Sequence, residues 1–190
     1  MGYRKYAKDY EIEYVLQPGK KREKAVRIYV GPYFRFKAAP ERIKRLKWLY
    51  LLGLLLVAAL LIVPMYLDCA ITRVWYVQGP AAAAWIPWLL AAGATWRLWT
   101  AKELVNREHH DLLVDRMGGA SLFLMALCSI TVAACVIALL QLEAARWDKI
   151  VCGCYLIAAV CSVVLFSRRK ELEMDPVENP EKPQAKKRIL

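Results

Sequence analysis

The chain has 190 residues, 58% of them hydrophobic, and its 28 lysines and arginines outweigh 17 aspartates and glutamates for a net charge of +11. A soluble domain is about 45–50% apolar; here the excess is gathered into four blocks of roughly 17–24 residues almost free of charge, about the number a bilayer core demands. That excludes a soluble globular enzyme, a disordered chain and a secreted disulfide scaffold, and leaves a small multi-pass membrane protein.

Residues 1–46 read as a basic, β-rich module with an amphipathic lead-in helix. The chain opens with Arg4, Lys5 and Lys8 but has no apolar stretch in its first 30 residues, so the first span reads as an uncleaved anchor rather than a signal peptide. In YEIEYVL, residues 10–16, Tyr10, Ile12 and Tyr14 alternate with Glu11 and Glu13, the pattern of a half-buried strand. A QPGK turn signal follows at 17–20, then a second strand pattern at 25–30 with Ile28 and Tyr29. Gly31 and Pro32 break it, and Tyr33 and Phe34 open a third short strand at 33–36. The expectation is a hairpin or three-stranded meander, too small to bury a core alone. It must therefore lean on the bilayer, on another part of the chain or on a partner strand. Residues 38–47, with Pro40 and Glu41 in a first turn, predict a basic helix running into the first span.

The spans are expected at about 48–67, 81–99, 120–142 and 150–166, all helical because lipid offers no partner to an unpaired backbone amide. The fold class is thus an all-α membrane protein, a four-helix transmembrane bundle within residues 47–167, with the small β-hairpin or meander at its N-terminus. Pro64 and Pro87 are expected to kink the first two spans. Small residues recur at helical spacing: Ala91 and Ala94 on the second span, Ala126, Ser129 and Ala133 on the third, Ala158 and Ser162 on the fourth. Such faces allow close helix packing, within one chain or between copies. Between the second and third spans the connection reads as helical, with a break at Gly118 and Gly119. Residues 168–190, with three prolines, read as a flexible tail.

Lysine and arginine set the orientation. Placing both termini and the middle connection on one side puts 25 of the 28 there and three on the other. By the positive-inside rule that side is cytoplasmic, and the location is a plasma membrane of bacterial type. The same charge is accounted for by topology and anionic lipid headgroups, so nucleic acid is not an expected partner. The partners expected are the bilayer, its anionic headgroups, and a membrane protein or a second copy of the chain.

No charged residue falls at the middle of a span, which argues against a proton-coupled carrier. Cys69 lies at the outer end of the first span, and Cys152 and Cys154 at the outer start of the fourth; these three are the candidates for thiol–disulfide chemistry, although oxidoreductases of that kind use Cys-x-x-Cys and this chain has Cys-Gly-Cys. Glu108, His109, Asp111 and Asp115 are the candidate set for a divalent ion, Glu108, Asp111 and Asp115 falling on one helix face. Adjacent histidines point apart on a helix, and no HxxxH or ExxH pair is present, so a solvated face paired with Arg107 and Arg116 is the preferred reading. No nucleotide-binding or hydrolase motif occurs, and no cofactor is expected. The function expected is that of a non-enzymatic accessory, assembly or interaction subunit acting through Tyr10, Ile12, Tyr14, Ile28, Tyr29, Tyr33 and Phe34. The alternatives are an outward-facing thiol–disulfide oxidoreductase and a small-solute channel or transporter.

Overall fold

The computed structural model describes residues 6–16, 23–101, 103–142 and 145–178. After a short 3-10 turn at Ala7–Asp9 the chain enters β1 (Tyr10–Leu16) and returns antiparallel as β2 (Glu23–Tyr29), with Tyr10 opposite Tyr29 and Leu16 opposite Glu23. The predicted turn at 17–20 lies outside the described residues. The ladder ends where the N–H groups of Val30 and Gly31 both donate to the Asp9 carbonyl, at 2.9 and 3.3 Å. Pro32 then has no N–H with which to extend it. Gly31 lies so close to the Tyr29 ring that a Cβ there would sit 2.7 Å from the hydroxyl oxygen.

The next strand, β3 (Tyr33–Phe36), therefore leaves the ribbon instead of completing a meander with it. Its partners come from far along the chain: β4 (Val105–Asn106) on one side and β5 (Met174–Val177) on the other, both antiparallel, in the order β4-β3-β5. Pro176 stands opposite Phe34 on the edge strand, where a proline is tolerated. The stretch from 168 to 177, expected to begin a flexible tail, runs instead as a 3-10 turn (Arg168–Leu172) and this strand. Buried Leu172 and Met174 hold it, together with the Lys37 N–H donated to the Glu173 carbonyl at 3.1 Å.

Among the described residues, five α-helices account for most of the rest. In α1 (Pro40–Tyr66) proline occupies the first position, where its missing N–H costs nothing. Its buried residues Ile43, Leu46, Tyr50, Leu54, Val57 and Leu61 form one stripe at three- and four-residue spacing. The second apolar block is split into α2 (Trp75–Ala83) and α3 (Trp85–Thr100), parted at Ala84 three residues before Pro87. Pro87 cannot donate to the Ala83 carbonyl and its ring crowds that oxygen, so the break falls there. The 35 residues of α4 (Arg107–Gln141) reach about 52 Å. The break expected at Gly118 and Gly119 does not occur. Glycine inside a helix costs only about 1 kcal/mol, and buried Leu113, Met117, Ala120 and Leu124 seat α4 against the bundle through that stretch. The middle connection is thus β4 followed by the first turns of α4. Finally α5 (Arg146–Ser167) begins ahead of the expected 150, because the Asp148 carboxylate accepts the Ala145 N–H at 3.0 Å.

Around the bundle α1 packs on α5 and α3, and α4 packs on α5, α3 and α2. Buried Ala84, Ala91, Ala94, Ala120, Ala138 and Ala158 permit the close approach. Among the described residues three helical segments are long and apolar enough to cross a membrane: Pro40–Tyr66, Arg107–Gln141 and Arg146–Leu172, and only 33% of the apolar window of each is buried in the molecule. Leu52, Leu55, Phe123, Ile130, Leu156 and Val160 face outward. Exposed apolar surface on that scale fits surroundings that are themselves apolar.

Candidate functional site

Both ends of the bundle carry organised chemistry. At the end closed by the β4-β3-β5 sheet, Tyr29 is the hub. Its buried ring meets Tyr10 and Tyr33 edge-on, with centroids 5.3 and 5.1 Å apart. Its hydroxyl donates to the Pro32 carbonyl at 2.8 Å and accepts the Arg107 N–H at 3.0 Å. Arg107 opens α4, so the phenol satisfies one of the amides that a helix N-terminus leaves unpaired. Burial is the main reason the Tyr29 phenol is raised above its ordinary pKa, with the nearby Asp9 carboxylate adding to it. One turn on, His110 stacks on Phe34 with centroids 4.2 Å apart, and its Nδ1 lies 3.2 Å from Asp111 Oδ1. The Tyr6 hydroxyl donates to Asp111 Oδ2 at 2.9 Å.

These contacts sort the predicted interaction residues. Tyr10, Tyr29, Tyr33 and Phe34 are brought together, but as internal contacts joining the ribbon, β3 and α4. Ile28 is half-buried. Ile12, two residues from Tyr10 on the same face of β1, is 59% exposed. Tyr14 pairs with Ala25 in the ladder, and its side chain lies outside the described residues. Among the described residues β1 and β2 pair only with each other, so the ribbon offers both backbone edges. Beneath it, Lys37 is bound by Glu173 and Asp175 at 3.4 and 3.3 Å, which raises its pKa, the Asp175 hydrogen bond most of all.

The proposed acidic ligand set is not assembled. Among the described residues no three His, Cys, Asp or Glu side chains converge on a point that would hold a metal ion. Asp111 is engaged by Tyr6 and His110, while His109 and Asp115 are exposed.

The opposite end is organised by Asp148, only 1% exposed. Besides Ala145, its carboxylate accepts the Ile71 N–H at 3.0 Å and so ties the loop after α1 to the head of α5. Cys69 in that loop is buried, its sulfur 3.6 Å from Thr72 Oγ1. Cys135 of α4, Cys152 of α5 and Cys69 fall in one neighbourhood, bordered by Tyr155. All three thiols are free. Of the predicted trio, Cys69 and Cys152 are thus drawn into one neighbourhood, and half-exposed Cys154 lies beside it. Sequence reasoning missed Cys135, although its position seven residues before Leu142 already placed it toward that end of α4.

The chain matches no protein-family model, and neither a curated protein nor a solved structure resembles it.

Proposed function

We propose that the chain is an integral membrane protein of four crossings that serves, without enzymatic activity, as an accessory, assembly or interaction subunit. One observation carries this reading: the β4-β3-β5 sheet joins the segments before α1, between α3 and α4, and after α5 at one end of the bundle. On this reading the chain travels out and back twice. The pair α2–α3, 26 residues or about 39 Å long, makes the second crossing as a broken helix. The sheet end is also the lysine- and arginine-rich end, which supports a cytoplasmic position for both termini. The ribbon's open edges offer strand addition to a partner. Ala126, Ser129 and Ala133 face outward on α4 and fit helix-to-helix packing with a second copy or another membrane protein.

The test is purification of the full chain from its native membrane in mild detergent, followed by mass and composition analysis. A stoichiometric partner or a defined homo-oligomer is expected, and Ile12→Lys or Ala126→Leu/Ala133→Leu should deplete it. A lone monomer from membranes that retain their other complexes overturns the reading.

The thiol neighbourhood favours a second reading, outward-facing thiol–disulfide exchange. Here a partner disulfide would be reduced to two thiols as Cys135 and Cys152 join in a disulfide, with two protons and two electrons passing to the partner. Alkylation of the chain denatured after isolation, with and without reductant, decides it, since Cys135 is buried in the folded chain; thiols that are free under both conditions remove it.

A further inference from the structure

On the flank of α1 facing α5, at the sheet end, lies a cleft of about 440 Å³ lined by Arg42, Arg45, Leu46, Leu49, Arg168 and Glu171. Tight helix packing builds it. Gly53 lets Leu165 approach so closely that a Cβ would sit 2.9 Å from its Cδ2, and the Tyr50 hydroxyl donates to the Leu165 carbonyl at 2.8 Å. The end of α5 is thereby held against α1, and the 3-10 turn brings Arg168 to the first turns of α1. Arg168 is partly neutralised by Glu171, 2.7 Å away. Among the described residues neither Arg42 nor Arg45 has an ion-pair partner, so the cleft holds three guanidinium groups against one carboxylate.

The order of these residues along α1 names the ligand. Arg42 stands one turn above Leu46, and Arg45 one turn above Leu49, so each cation surmounts an apolar side chain on the same face. Trp48 and Trp99 meet edge-on at this level, centroids 5.1 Å apart, as aromatic side chains do where headgroups give way to acyl chains. Below it α1 exposes Leu52, Leu55 and Leu56. A free anion would use the arginines and leave the leucine step without purpose. A molecule with a phosphate above and a hydrocarbon chain below uses both.

We propose that this cleft is a binding site for an anionic phospholipid, its phosphate held by Arg42, Arg45 and Arg168 and the start of an acyl chain lying on half-buried Leu49, with buried Leu46 forming the floor of the cleft. The inference rests on the membrane reading above. It is tested on the full chain in detergent by native mass spectrometry with phosphatidylglycerol and phosphatidylcholine. Phosphatidylglycerol is expected to bind about 25-fold more tightly, roughly fivefold for each unpaired arginine. Arg42→Gln/Arg45→Gln should reduce it to the phosphatidylcholine level, and lysine at both positions should restore most of the preference. Lys44→Gln/Lys47→Gln removes equal charge outside the cleft and should leave the preference in place. Equal binding of the two lipids, equal loss in both glutamine pairs, or displacement by millimolar inorganic phosphate overturns the lipid site alone. A chain that stays soluble and monodisperse without detergent overturns the membrane reading, and the site with it.

Discussion

Single side chains at each level of the bundle carry separable tasks. Tyr29 links three elements through one hydroxyl, so Tyr29→Phe should keep the ring contacts and lose two hydrogen bonds, at a cost of about 1–3 kcal/mol. Hydrogen exchange at the first turn of α4 reads that loss directly. Alkali should act on the same place. The phenol's pKa is raised in the folded chain, so its contribution is intact below the ordinary value of 10.0 and fades as the pH climbs through the folded value. Lys37 is raised from 10.5 and adds a loss in the same direction. The sheet end should therefore loosen above about pH 10, and less steeply in Tyr29→Phe. Thr95 presents the opposite case. Its Oγ1 is buried without a hydrogen-bond partner among the described residues. Thr95→Val should leave the thermal midpoint in detergent unchanged or raise it, because an unmet hydroxyl is exchanged for a methyl group of the same shape.

Helix boundaries follow from chemistry that is only partly visible in a linear pattern. Period-2 alternation at 10–16 and the apolar blocks were plain to read, since each encodes one face or one solvent. The continuation of α4 through Gly118 and Gly119 was not, because flanking burial outweighs a local glycine cost only once tertiary packing is known. Nor was the partner of β3 legible: MDPV at 174–177 has no alternation and carries a proline, and only its place beside β3 makes it a strand. Cys135 is illegible for a similar reason, since its nearness to Cys152 depends on how α4 and α5 are seated. Glycine matters where helices touch. Gly53→Val should push Leu165 away and separate α1 from α5, costing about 1–3 kcal/mol as overpacking does. Gly93→Ala, with nothing within 4 Å of the added carbon, should be neutral or slightly stabilising. Thermal denaturation of the two variants side by side checks the contrast.

For the molecule as a whole, the small sheet is the tie between the segments that flank the helices. Truncation after Leu172 should free one edge of β3, raise protease cleavage near residues 33–36 and leave helix content nearly unchanged by circular dichroism; unchanged cleavage would mean that β4 suffices. The sheet also has a chronology. Phe34 pairs with Val105 and with Pro176, so its two neighbours leave the ribosome 71 and 142 residues after it. At about 5–20 residues per second, β3 waits about 7–30 s for its last partner. The β4-β3-β5 sheet can be completed only after all of α1 to α5 have been synthesised. Pairing of β3 with β5 is thus the last step in assembling this sheet, and until β5 has been made one edge of β3 stays open.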